Sequence, residues 1–473
     1  MTSSDALTRV GLFGIGLDTY WQQFPGLRER LEGYLGRIAQ GIRGADVVSA
    51  GLVDSVGKSE AAAALFRAQD VRLVFLAVST YALSSTVLPA VRQLPVVVLN
   101  LQPEPAIDYA RFNAMGDRGA MTGEWLAFCQ ACAVPEIASV FHRARIPFRQ
   151  VTGTLDDPEA REEIQGWVDA ARVAAILGRT RLGILGHYYN GMLDVYADPT
   201  QLCVSFGVHV QHLEIDELKC ARRAVDAGEA ARKEEEFRQA FEVTADCPGA
   251  EITRAARTAC ALDRMVRDRG LGALAYYYEG MPGSEEEDIV TSVIAGNSLL
   301  TARHVPVAGE CEVKNAMAMK IMDAFGAGGS FSEFYAMDFN EQVILLGHDG
   351  PGHLAIAEGR PKLKPLGVYH GKPGNGLSVE MNVRHGPVTL LSVVQRAGGR
   401  VALLTAEGDS VPGPILEIGN TNSRYRFPLT VKEFVEAWSS QGPAHHCAIG
   451  TGHVASRIRK LASLLDLEFV QVC

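Results

Sequence analysis

Residues 71–101, VRLVFLAVSTYALSSTVLPAVRQLPVVVLNL, hold two short apolar runs on either side of a helix-compatible interval. Val71–Val78 and Pro95–Leu101 are rich in β-branched residues and too short for buried helices. Both read as strands buried on their two faces, with a helix over Ser84–Arg92 between them. The uncharged run Leu73–Val91 is interrupted by Ser79, Thr80, Ser84, Ser85, Thr86 and Pro89, so it does not read as a membrane span. The same alternation extends toward the N-terminus. Strands are expected at Val10–Gly14 and Val47–Leu52, and helices near Gly26–Ile42 and Ser59–Gln69. Strands alternating with helices imply a parallel sheet covered on both faces.

Further on, Asp157-Pro158 supplies an N-cap and a first-turn proline for a helix running to about Ala175. A second alternating stretch follows, with strands at Leu182–Leu185, Val208–Leu213 and Ala273–Tyr277. Ser284 with Glu287 fits a capping box. The charged segment Arg232–Glu236 reads as a solvated helix face. After Gly326 the pattern turns to β segments with many glycines and prolines, up to about Phe427. A last helix, strand, helix and strand complete the chain. The expected fold is α/β: two doubly wound parallel-sheet domains, 1–176 and 177–326, followed by a β-rich C-terminal domain, 327–473.

The chain has 473 residues, which suggests about three domains. Its 45 basic and 55 acidic residues leave a net charge of −10. That balance argues against a nucleic-acid partner, whose binding proteins are basic. The nine cysteines form no framework. The lone pair Cys129 and Cys132 lies in a helical run and reads as small apolar residues. The N-terminus lacks a basic region followed by an apolar stretch, so a cytoplasmic location away from membranes is expected.

Chemistry gathers in residues 330–348, SFSEFYAMDFNEQVILLGH. Read as a strand, Phe331, Glu333, Tyr335, Met337 and Phe339 share a face. A carboxylate there needs a partner or a metal ion. A symmetric hairpin about Asn340-Glu341 sets Phe339 against Gln342, Met337 against Ile344, and Glu333 against His348. A buried Glu–His hydrogen bond without chemistry is the plainer alternative. Two further segments shift the balance. Glu310 follows an apolar stretch at an element boundary. His445-His446 opens a strand near the C-terminus, where alternation lets only one of the pair join a given site. Two carboxylates with one or two imidazoles suit a divalent ion such as Mn²⁺.

AGE at 308–310, SFSEFYAMDF at 330–339, LLGHDG at 345–350 and GPAHH at 442–446 resemble, in order and spacing, the L-arabinose isomerase family, with the L-fucose isomerase-like enzymes as broader relatives. The resemblance extends along nearly the whole chain and includes GHYYNGMLDVYAD at 186–198. It implies Glu310, Glu333, His348 and His446 as metal ligands, with Glu310 and Glu333 also as the acid–base pair. It implies Mn²⁺ as cofactor, with Co²⁺ or Mg²⁺ as substitutes. Leu17, Asp18, Tyr20, His187, Met192, Tyr277 and His445 fall at substrate-facing positions. The implied activity is aldose–ketose isomerisation of a monosaccharide through a cis-enediol. A sugar epimerase with the same chemistry and a non-catalytic sugar-binding relative are the alternatives. Relatives assemble as homotrimers or homohexamers with sites at subunit boundaries, so the loop at 16–20 would act in trans.

The sequence also departs from that pattern. Where the family carries Ser-Gln-His-Leu-Tyr, this chain has Gly16-Leu17-Asp18-Thr19-Tyr20, keeping only the tyrosine. The aromatic run Ala275-Tyr276-Tyr277-Tyr278-Glu279 and the segment Asp349–His353 also differ. L-arabinose itself is therefore not the expected substrate. Gly11, Gly14 and Gly16 invite a dinucleotide reading, but the third glycine position holds Thr19. His353, His370 and His385 read as turn or surface histidines. Asn420, Asn422, Arg424 and Arg426 read as a hydroxyl-binding cluster or a hairpin turn.

Overall fold

The computed structural model describes residues 8–92, 94–367 and 375–473; His370 lies outside the described residues. The chain divides into two compact units, Met1–Ala175 and Ile176–Cys473. In the first unit, β1 (Thr8–Ile15), β2 (Ala45–Val53), β3 (Leu73–Ala77), β4 (Val96–Gln102) and β5 (Phe148–Thr154) form one parallel sheet in the order β2-β1-β3-β4-β5. The order reverses at β1, so the loop leaving its carboxyl end sits at a topological switch point, where doubly wound sheets open a crevice. Phe13, Val74, Leu76 and Val98 pack with helix residues Phe66, Ile137 and Phe141 on one side of the sheet. Four of the five strands follow the expected apolar runs. The fifth, β5, has only Val151 buried, and an exposed edge strand leaves no apolar run to read. Cys129 is not within a helix: one helix ends at Leu126, and Cys129 caps the next, Gln130–Ala144.

The second unit begins with β6 (Arg181–Gly186), β7 (His209–Leu213), the two-residue β8 (Glu242–Val243), β9 (Ala273–Tyr277) and β10 (Val307–Ala308). All but β8 form a second parallel sheet, ordered β10-β9-β6-β7, again reversing at its first strand. The close approach of β6 to β9 depends on Gly186, at φ +93°. A Cβ there would lie 2.0 Å from the carbonyl oxygen of Tyr277.

The remaining strands are β11 (Gly328–Asp338), β12 (Val343–His348), β13 (Lys362–Leu366), β14 (Gly376–Glu380), β15 (Gly386–Gln395), β16 (Val401–Val411), β17 (Thr421–Arg426), β18 (His446–Thr451) and β19 (Glu468–Gln471). Strands β13 and β14 pair with β8 in a small sheet. The others run β15-β18-β11-β12-β17-β16-β19, and β15 also pairs with β16 along its whole length. That pairing closes an antiparallel ring of six strands, which removes the exposed edges that open sheets must protect. The fold is thus α/β with two parallel sheets and a strand-rich C-terminal sheet, as the alternation and the later glycine-rich pattern imply.

The helix Val313–Ala324 is buried on every side. It packs against β9 and β10 of the parallel sheet and against β11, β15 and β18 of the ring. A helix apolar all round belongs in a core, so its few charged residues, among them Lys314, Lys320 and Asp323, must be matched internally. Among the described residues, no helix is long and apolar enough to cross a membrane.

Candidate active site

Three neighbouring ring strands deliver three polar side chains to one end of the ring. Glu333 lies on β11, His348 ends β12, and His446 opens β18. Glu333 pairs across to His446 on one side and to Gly347 on the other. The expected pairing of Glu333 with His348 is therefore off by one residue. Met337 does oppose Ile344, but the register slips between Phe334 and Ala336, where Tyr335 is the extra residue of a bulge. Bulges of this kind re-aim side chains beside sites. Here the Tyr335 hydroxyl accepts a 2.9 Å hydrogen bond from the Asn420 amide. Past the bulge the hairpin runs out to solvent, leaving Met337 48% and Phe339 58% exposed, so the expected apolar face does not persist.

Glu310 comes from the other side, just after β10. It lies with Tyr277 and His187 near the carboxyl ends of the parallel strands, where open α/β sheets place their ligands. Glu310 and Cys311 both have left-handed backbones, at φ +54° and +57°. Non-glycine residues hold such angles only when their surroundings fix them, and such strain collects at functional sites. The fixing bonds are Cys311 N–H to the Tyr276 carbonyl and Glu312 N–H to the Gly309 carbonyl, both 2.9 Å.

The side chains converge. Nε2 of His348 and Nε2 of His446 are 3.2 Å apart. Glu310 carboxylate oxygens lie 3.5 Å from His446 Nε2 and 3.9 Å from His348 Nε2. His445 Nε2 is 3.5 Å from Glu310 and 3.9 Å from Glu333. Both adjacent histidines thus reach the same centre. The alternation argument fails because His445 precedes β18 and is not part of its pleat. Phe331 supports both imidazoles from below, its ring centroid 4.4 Å from that of His348 and 4.3 Å from that of His446.

A cavity of about 130 Å³ opens over this centre, with Tyr189, Tyr276, Tyr277, Glu310, Glu333, His348 and Asp349 in its wall. Burial pushes the Glu333 carboxyl up; His446 and His445 pull it back, and Glu310 and Asp349 add to the rise. Burial works against a charged His445, but hydrogen bonds to Glu310 and Asp194 outweigh it and raise the ring to about 9. Burial likewise opposes the Asp194 carboxylate, yet the ring and backbone N–H of His445 hold it below its ordinary range.

The donor set fits a divalent cation. Glu310, His348 and His446 offer atoms within 4.8 Å of one another, as do Glu333, His445 and His446. Nδ1 of His446 lies 3.0 Å from the buried Glu312 carboxylate. A carboxylate accepts only, so Nδ1 carries the proton and the Nε2 lone pair faces the other donors, the tautomer a metal ligand needs.

Of the remaining expected residues, Tyr277 lines the cavity and His187 packs edge-on against it at 5.5 Å. Met192 is half-buried in the loop after β6 and is not part of the cavity wall. Leu17, Asp18 and Tyr20 belong to the first unit. There Asp18 accepts from the Thr19 N–H at 2.7 Å, and Tyr20 packs on Phe24. His353 is neither turn nor surface: it is 3% exposed, and burial lowers its ring pKa. Glu312, Asp194, Lys314 and Asp349 were not expected. A lysine inside the apolar run 313–324 is the one sequence signal that could have pointed to a buried partner.

Residues 328–468 match the family model described as the L-arabinose isomerase C-terminal domain. That segment includes Glu333, His348, His445 and His446, but not Glu310. The chain is 25% identical over 352 residues to an L-arabinose isomerase of Nocardioides sp., covering 71% of this chain and 68% of that protein. It is 23% identical to L-arabinose isomerases of Klebsiella pneumoniae subsp. pneumoniae, covering 71% and 69% of the two chains, and of Serratia proteamaculans, covering 79% and 77%.

Proposed function

Because the chain belongs to the L-arabinose isomerase family, we propose that it is a divalent-metal-dependent aldose–ketose isomerase acting on an uncharged monosaccharide other than L-arabinose. The observation that carries this reading is a pair of donor groups that share His446, Glu310 with His348 and His446, and Glu333 with His445 and His446, with Glu310, Glu333 and His348 in the wall of one cavity. Those four residues would hold the ion, Mn²⁺ first, with Co²⁺ or Mg²⁺ as substitutes. A bound ion supplies Lewis-acid stabilisation of negative charge developing on sugar oxygens.

The chain's own groups do the rest. Isomerisation moves one proton between C1 and C2 of the sugar. Glu333 and Glu310 flank the cavity as the pair that removes and returns it. Burial and the neighbouring Glu310 charge push the Glu333 carboxyl upward, which suits a group that exchanges a proton with substrate. His445, charged and aimed between them, donates to a sugar oxygen. Tyr189, Tyr276 and Tyr277 give the C–H face of a sugar something to rest on and exclude water. No lysine or arginine lines the cavity among the described residues, while Asp349 adds a third carboxylate. That charge balance favours a neutral sugar over a sugar phosphate.

The test is a panel of unphosphorylated aldoses with added Mn²⁺, followed by product analysis. Ketose formation is expected, with kcat/KM for L-arabinose at least about tenfold below that of the best sugar. A site built for one hydroxyl pattern rejects analogues that leave its polar groups unpaired. L-arabinose as the best substrate would overturn the specificity reading, and a 2-epimer as the sole product would replace isomerase by epimerase.

On the family resemblance, we also propose a homotrimer or homohexamer in which the 16–20 loop of one copy serves the donors of another. Mixing inactive Glu333→Gln with an inactive Asp18→Ala variant should then restore part of the activity. A fully active monomer at nanomolar concentration would exclude this assembly.

A further inference from the structure

Lys314 is a buried cation in a helix that is otherwise a core element, 3% exposed. Its ammonium has three oxygen partners, two by hydrogen bonds and one by an ion pair. These are the Asp194 carbonyl at 2.7 Å, the Tyr196 carbonyl at 3.4 Å, and Glu312 Oε1 at 3.2 Å. Glu312, 1% exposed, uses its other oxygen for Nδ1 of His446 at 3.0 Å. The Asp194 side chain in turn accepts from Nδ1 of His445 at 2.6 Å and from its backbone N–H at 3.0 Å. The links form a closed circuit: His446 to Glu312, Glu312 to Lys314, Lys314 to the 194–196 backbone, Asp194 to His445, and back through the peptide bond to His446. Lys314 donates two hydrogen bonds and forms an ion pair with Glu312, so both Glu312 oxygens are engaged.

We infer that Lys314, Glu312 and Asp194 are positioning residues that fix the direction of both histidines and the tautomer of His446, with one ammonium anchoring both arms of the circuit. The inference rests on the metal-dependent reading above. The two arms differ in what they hold. Glu312 fixes His446, whose Nε2 faces the metal donors, so its loss should weaken the ion. Asp194 fixes His445, which lies within donor distance of Glu333 and His446 but is not one of the four proposed ligands, so its loss should spare the ion and reduce turnover. A purely structural ion pair would make no such division.

The test uses the full chain labelled with ¹⁵N in its histidine rings, read first without metal. Glu312→Leu combined with Lys314→Met replaces the buried pair by side chains of similar size, a change proteins commonly tolerate. In the parent protein, the His446 ring should hold its proton on Nδ1. In the double variant it should shift toward Nε2, and the Kd for Mn²⁺ should rise about 10- to 100-fold, the usual effect of losing a partner behind a ligand. Asp194→Ala, at an exposed position, should leave the Mn²⁺ Kd within about twofold and lower kcat about tenfold or more. An unchanged tautomer and Mn²⁺ affinity in the double variant would overturn the inference. So would an Asp194→Ala protein that loses Mn²⁺ as strongly as the double variant. If the tautomer shifts as expected but the parent protein binds no divalent ion, the positioning role stands and the metal-dependent reading fails.

Discussion

Replacing Glu333 by glutamine is expected to lower kcat by about a thousandfold or more while leaving the fold intact. Two effects combine in this one change. The amide cannot carry the proton that a carboxylate takes and returns, and general acid–base groups typically contribute about 10² to 10⁴ in rate. It is also a poorer partner for a cation than a carboxylate is. The fold should survive because Glu333 lies at the cavity wall, only part-buried, and glutamine keeps its shape. Circular dichroism matching the parent protein, with turnover at the assay floor, is the expected pair of results. Activity within tenfold of the parent would remove Glu333 from the acid–base role.

Withdrawal of metal should have an effect of similar size. After dialysis against a chelator, isomerase activity should fall below detection, and Mn²⁺ should restore it. A ligand that binds only the folded state stabilises it by about 2.7 kcal/mol at a hundred times its Kd. For a unit of this size, that corresponds to a rise in Tm of about 5 °C. The Glu333→Gln protein should show a smaller rise at the same Mn²⁺ concentration. Absence of any shift with Mn²⁺, Co²⁺ or Mg²⁺ would end the assignment of a metal site to these residues.

The parallel sheets were legible because their central strands are buried on both faces and carry continuous apolar runs. Thus Val71–Val78 and Pro95–Leu101 point directly to β3 and β4. The edge strand β5 escaped because it is mostly exposed. At the site, the residue types and their order were legible, and so was the hairpin carrying Glu333. Its register was not, because nothing in the local sequence marks Tyr335 as the bulged residue. Its hydrogen-bond partner, Asn420, lies 85 residues further on. The partners of the histidines were invisible for the same reason. Asp194 and His445 meet across 251 positions, a tertiary contact that no spacing rule encodes. Of these partners Lys314 left a trace, as one of three charges in a helix otherwise rich in alanine and methionine.

The closed ring also orders events in time. Strands β11 and β12 are a local hairpin, as are β15 and β16, and such pairings form early because little chain must be looped. Strand β18 is different: it fills the gap between β15 and β11, and it comes about 100 residues after the hairpin that holds Glu333 and His348. Its first residue is His446. Until that strand docks, the ring is open and two of the converging imidazoles are absent. On the ribosome, then, the nascent chain passes through a long stage with Glu310 and Glu333 made but without His445 and His446 beside them. Competence arrives late, together with the strand that seals the barrel.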